Sequence, residues 1–197
     1  DGGVSVFMEG KQWSASDEEI ARHFVSCEQV GDAIEARWQF RRGSELADFL
    51  YRLRIVGKSL VVDVEGGPGK AAGIDLGYVS GAIHPRLIQV PYLNLGDQQP
   101  AVLSTSGVFI SSYLDWYHSR ASSMHGASSD DQVLHLNGGC RYRLASDGRG
   151  GALRDRWVLT VSRRFEEVLP SQPVAKGHEP PAVSPDLIWC CLPEMAD

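Results

Sequence analysis

A chain of 197 residues can build one sizeable core, and all-β chains of this length are ordinarily a single domain. Its apolar fraction of 43% and charged fraction of 22% are ordinary for a globular protein. A formal net charge of −6, with basic residues scattered apart from short pairs such as Arg41-Arg42 and Arg163-Arg164, argues against nucleic acid as a partner, and no run of about 18 apolar residues is present to span a membrane.

The dominant signal along the chain is alternation at period two, which marks half-buried antiparallel strands. Val4–Met8 is the first expected strand. "SASDEEIARHF" follows, where Ser16 and Glu19 have capping-box spacing and predict one short helical turn. "HFVSCEQVGDAIEARW" reads as two strands joined at Val30-Gly31-Asp32. In the second of these, Ile34, Ala36, Trp38 and Phe40 share one face, and Glu35, Arg37, Gln39 and Arg41 the other. "SELADFLY" could begin as a helical turn before Phe49, Tyr51, Leu53 and Ile55 alternate down a strand. A hairpin turn at Gly57-Lys58 leads into Leu60, Val62 and Val64.

Further strands are expected at Ile74–Val79, Leu87–Pro91, Ala101–Ser104, Phe109–Trp116 and Val133–Leu136. "CRYRLASDGRGGALRDRWVLTV" reads as two more strands joined by the glycine-rich turn at 147–151. About a dozen short strands with turns between them predict an all-β chain, a large antiparallel β-sandwich with little helix. Its core is expected to include Trp38, Phe40, Tyr51, Leu53, Val62, Trp116, Trp157 and Leu159. The sandwich is placed at residues 1–170. From 171 to 197 the Pro-rich composition predicts a linker and the start of a following segment, so the chain is expected to be a domain of a longer protein.

Cys27, Cys140, Cys190 and Cys191 show no CxxC or zinc-site spacing, and no metal or cofactor is expected. Buried free thiols are the expectation; a Cys27–Cys140 bridge requires their strands to be neighbours. Three histidines, His118, His125 and His135, bracket a Ser/Gly/Asp-rich loop without HxH or HxxxH spacing. Among the carboxylates, Glu166-Glu167, Asp130-Asp131 and the strand pair Asp63 and Glu65 form no convincing hydrolytic pair. "GGPGKAAG" lacks phosphate-loop spacing, and no GxSxG element occurs. No catalytic residue is therefore assigned.

"SSYLDWYHSRASS" is the most suggestive stretch for binding. In an extended chain Tyr113, Asp115 and Tyr117 fall on one face, as an aromatic sugar platform with a carboxylate acceptor requires. The alternative is that Asp115 caps the turn after it while the tyrosines cover the sheet. His84, before Pro85, is the fourth candidate for the same carbohydrate site.

The segments "RLIQVPYLNL", "GVFISSYLDWYHSRASS" and "YRLASDGRGGALRDRWVLTVSRRFEEVLPSQP" follow one another in an order that resembles the N-terminal galactose-mutarotase-like β-sandwich, or supersandwich, of large bacterial glycoside-hydrolase-like proteins. The resemblance spans about Ser59 to Pro173. It implies a secreted bacterial parent, extracellular or periplasmic, that degrades polysaccharide. It implies a non-catalytic accessory domain that packs against a catalytic barrel in the same chain and adds a wall to the glycan cleft. The mutarotase His-and-Glu apparatus has no counterpart here. The alternative is a self-contained carbohydrate-binding module, or a mutarotase-like sugar-active enzyme, with its cleft around Asp115.

Overall fold

The computed structural model describes residues 3–14, 16–75, 79, 81–89, 101–115, 123–125, 128–129, 134–135, 139–142 and 151–169. These residues form an all-β sandwich built from antiparallel strands. The larger layer contains β3 (Ala21–Val30), β4 (Ala33–Arg42), β5 (Glu45–Val56), β6 (Ser59–Asp75), β7 (Arg86–Gln89), β8 (Ala101–Thr105), β9 (Val108–Leu114) and β14 (Gly151–Ser162). Their order across the sheet is β3-β4-β5-β6-β14-β9-β8-β7. β1 (Gly3–Met8), β2 (Lys11–Trp13), β10 (Ser123–His125) and β13 (Gly139–Arg141) join the far half of β6, β1 and β13 pairing with it directly, β2 with β1 and β10 with β13. A separate ribbon pairs β11 (Ser128–Ser129) with β12 (Leu134–His135).

β6 connects the two layers. Residues 59–66 pair with β5 and β14, whereas 71–75 pair with β1. Two strands were expected here, with the glycine-rich stretch between them; one 17-residue strand is found instead. Gly66, Gly67, Gly69 and Gly73 supply the bend, and Gly69 adopts φ +84°, which side chains disfavour.

Register places the apolar positions together. Trp38 pairs with Phe49, Ala36 with Tyr51, Tyr51 with Val64, and Val62 with Trp157. Against this inner face pack Val4, Val6 and Met8 of β1, all fully buried. Phe40 and Phe49 meet edge-to-face with centroids 5.0 Å apart, the favoured aromatic geometry. A smaller cluster on the opposite face joins Val102, Phe109, Phe165, Val168 and Leu169, so the turn after β14 is pinned by its own apolar residues. Lys58 and Ser162 both reach Glu167 to hold it there.

Of the expected core, Phe40 and Val62 are buried, while Trp38, Tyr51, Leu53 and Trp157 are half-buried against the cluster. Leu159 is half-buried as well, and Trp116 lies outside the described residues, as do residues 147–150 of the expected turn at 147–151 and the linker from 171. Two helical expectations are corrected. Around 16–19 the chain turns on Asp17: its carboxylate accepts from the Ser14 amide at 2.7 Å, and its carbonyl from Ile20 at 3.2 Å. "SELADFLY" is strand from Glu45 onward, because every residue of it pairs with β4. Cys27 is a free thiol but exposed, because β3 is the sheet's edge. Since β13 borders β6, three strands away, Cys27 and Cys140 are not neighbours.

Candidate functional site

Among the described residues, the second layer leaves part of the inner face of β4, β5 and β14 uncovered. Ala36, Trp38 and Phe40 come from β4, Tyr51 and Leu53 from β5, and Trp157 from β14; with Gly3 and Arg22 they line an open hollow of about 440 Å³. Cross-strand pairing puts the rings side by side, because residues directly opposite in an antiparallel pair share a face. The volume falls in the range of about 300–1,000 Å³ found for small-molecule clefts.

The hollow is aromatic with few polar groups. Phe24 of β3 stands edge-on to Trp38 at 5.2 Å and holds that indole from the side. Burial pushes the Tyr51 phenol up to about 12, opposed by a main-chain hydrogen bond from Val4. Tyr51 is therefore a neutral hydroxyl at physiological pH. Arg22 is the one formal charge among the described residues of the lining. Flat aromatic rings and one guanidinium suit a ligand with apolar C–H faces and hydroxylated edges.

The opposite face of the sheet is a ladder of ion pairs. Arg52 bridges Glu35 at 2.6 Å and Glu65 at 2.8 Å; Asp63 takes Arg54 at 2.7 Å and Arg156 at 2.5 Å. Arg156 lies 4.0 Å from Asp115, whose amide donates to the Arg156 carbonyl at 2.7 Å. Asp115 thus ends β9 as a half-buried member of this ladder. A second hollow of about 500 Å³, partly lined by Arg37, Asp48 and Glu65, opens beside the ladder.

Tyr113 occupies the β9 position opposite Val158; its side chain and all of Tyr117 lie outside the described residues. His84 does not start a strand: it sits exposed in the turn before β7, at φ +47°. The register β7–β8–β9 aligns Arg86 with Ser104 and Ser104 with Phe109, placing His84 at the Phe109 end of β9. Asp115 is at the other end, about 20 Å along the strand at ~3.3 Å per residue. The structure does not bring His84 and Asp115 together.

The cleft residues Trp38, Tyr51 and Trp157 were legible as inward-facing, but nothing in a two-residue period tells which end of the face is left open. Arg22 carried no signal at all. Of the carboxylates set aside as catalytic pairs, Glu166 engages Arg164, Glu167 engages Lys58, and Asp63 and Glu65 belong to the ladder; Asp130 and Asp131 lie outside the described residues. Among the described residues no three His, Cys, Asp or Glu side chains gather as a metal site would require, and no helix is long and apolar enough to cross a membrane. No family model, curated protein or solved structure matches the chain.

Proposed function

We propose that the chain is a non-catalytic accessory β-sandwich of a carbohydrate-active enzyme, which holds a glycan in the cleft between Trp38, Tyr51 and Trp157. The observation that carries this reading is the cleft itself: two half-buried indoles at its sides and a buried, neutral phenol at its floor, all on one sheet face. Sugar rings stack their C–H faces on such surfaces, and their hydroxyls take the few donors at the rim. The ordering of motifs that resembles a supersandwich domain points to the same class of parent.

Packing against a catalytic barrel in the same parent chain is the other half of the proposal. Its support is apolar surface at the hairpin end of the same face, where Ile34, Ile55 and Val161 are 50%, 70% and 46% exposed. Single exposed aliphatics are ordinary, but three on one face of one sheet suit a domain contact. Asp115, drawn into the ion-pair ladder, lends no support to a mutarotase-like active site.

A glycan array followed by calorimetry on the isolated chain tests the binding. A hit weakened about five- to 150-fold by Trp157→Ala is expected if sugar stacking matches the about 1–3 kcal/mol of base stacking on an aromatic ring. Binding that persists in both Trp38→Ala and Trp157→Ala would move the site elsewhere, and failure of every glycan would remove the proposal.

A further inference from the structure

We propose that β3 is a self-association edge, on which a second copy of this chain adds its own β3 antiparallel about a two-fold axis. β3 is ten residues long, and every residue but Ser26 is exposed. It ends the sheet, so one row of its main-chain donors and acceptors faces no strand among the described residues. Such an edge is a template for another strand. Phe24 and Val25 stand 48% and 53% exposed on it.

The occupant follows from a β-bulge. Register against β4 runs Phe24↔Trp38, then Ser26↔Arg37, so Val25 is the extra residue at the middle of the strand. Side chains normally alternate, and a bulge resets that alternation. Arg22 and Phe24 share the inner face before it, Cys27 and Gln29 after it; His23 lies on the outer face before it, Ser26 and Glu28 after. A two-fold axis through the strand centre pairs Arg22 with Gln29, His23 with Glu28 and Phe24 with Cys27. Each pair then lies on one face, as antiparallel pairing demands. Without the bulge, the same full-length pairing would set inner residues against outer ones. The bulge makes this strand complementary to itself.

Charge points to the same register. Full-length pairing puts His23 opposite Glu28 twice, once on each side of the axis, where an imidazole N–H can donate to the carboxylate, and no like charges meet. Slides that bring Glu28 against Glu28 or Arg22 against Arg22 shorten the overlap and oppose equal charges. The geometry is isologous, the usual form for a two-copy assembly. Two eight-stranded sheets would become one continuous sheet, with Phe24 beside Cys27 of the second copy at the seam.

The test is register-specific cross-linking of the full chain. Phe24→Cys places a thiol opposite Cys27 of the second copy at a Cα separation of about 4.5–5.5 Å, which a disulfide spans. Mild oxidation should give a covalent dimer whose 24–27 linkage is identified by peptide mapping. The unmutated chain should not link through Cys27 alone, since the two Cys27 are three positions out of line. In light scattering, Glu28→Arg should weaken dimerisation about tenfold by removing both His23–Glu28 contacts, and adding His23→Glu should restore it. A monomer at every soluble concentration with no 24–27 linkage overturns the proposal. So does a dimer that neither Glu28→Arg nor the charge swap affects.

Discussion

Phe49 closes directly over Gly66. A methyl group at residue 66 would lie 2.6 Å from Cδ1 and Cε1 of the ring and 3.4 Å from Leu153 Cβ. The two residues are paired across β5 and β6, at the point where β6 leaves one layer for the other. The missing side chain is what lets the ring lie flat against the strand and join Phe40 in the core.

Gly66→Ala should therefore destabilise the fold by about 1–3 kcal/mol, the usual cost of overpacking a filled core. Gly67→Ala, with open space around its Cα, is the internal control and should change stability by less than about 1 kcal/mol. Urea denaturation of the pair checks this. Equal effects would mean that Phe49 swings aside at no cost.

Phe40→Ala and Trp157→Ala should differ, although both residues alternate into the same face. Phe40 is 4% exposed and meets Phe49 edge-to-face, so its loss should cost about 3–5 kcal/mol. Phe40 and Trp157 both line the cleft, but Trp157 is only half-buried, so its removal widens the mouth instead of leaving a sealed void; about 1–3 kcal/mol is expected from the area it covers. A Trp157→Ala cost matching that of Phe40→Ala in chemical denaturation would show the cleft to be shut in solution.

This difference marks how far the sequence could be read. Alternation at 34–40, 49–55 and 60–64 located three strands and their inner faces, because a sheet with one wet side imposes a two-residue period. It could not register β6 as one strand, since glycines at 66, 67 and 69 carry no hydrophobic pattern and resemble a loop. It placed Trp38 and Trp157 inside but could not show that both stay half-buried, which depends on contacts far apart in the chain. Asp115 read as a sugar ligand because its arginine partner, Arg156, lies 41 residues away.

Asp63 makes stability depend on pH. Burial pushes its carboxyl up, but the guanidiniums of Arg156 and Arg54 together outweigh this and hold it below the usual 3.8. A lowered folded-state pKa stabilises the fold above the unfolded value, and the contribution is lost as pH falls through the folded one. The chain should thus lose stability below about pH 4. Asp63→Asn should cost about 1–3 kcal/mol at neutral pH, leaving two arginines short of a carboxylate, and should flatten that acid limb. Denaturation midpoints from pH 7 down to about pH 2 for both proteins decide it. An unchanged acid limb in Asp63→Asn would assign the dependence to another group.

At the alkaline end the determinant is Tyr51. Its phenol is raised to about 12 by burial, despite the main-chain hydrogen bond from Val4 that favours ionisation. In the unfolded chain it ionises near the ordinary 10.0, so between these values the unfolded state releases a proton that the folded state keeps. Stability from this group is intact below about pH 10 and falls by about 1.4 kcal/mol per pH unit above it, until the folded phenol ionises too. Tyr51→Phe should remove that component of the alkaline slope. Absorbance titration at the phenolate band should lose one late-titrating tyrosine in the same variant. If the band loses an ordinary early-titrating tyrosine instead, Tyr51 is open to water and the floor of the cleft is not as buried as its contact with Val4 requires.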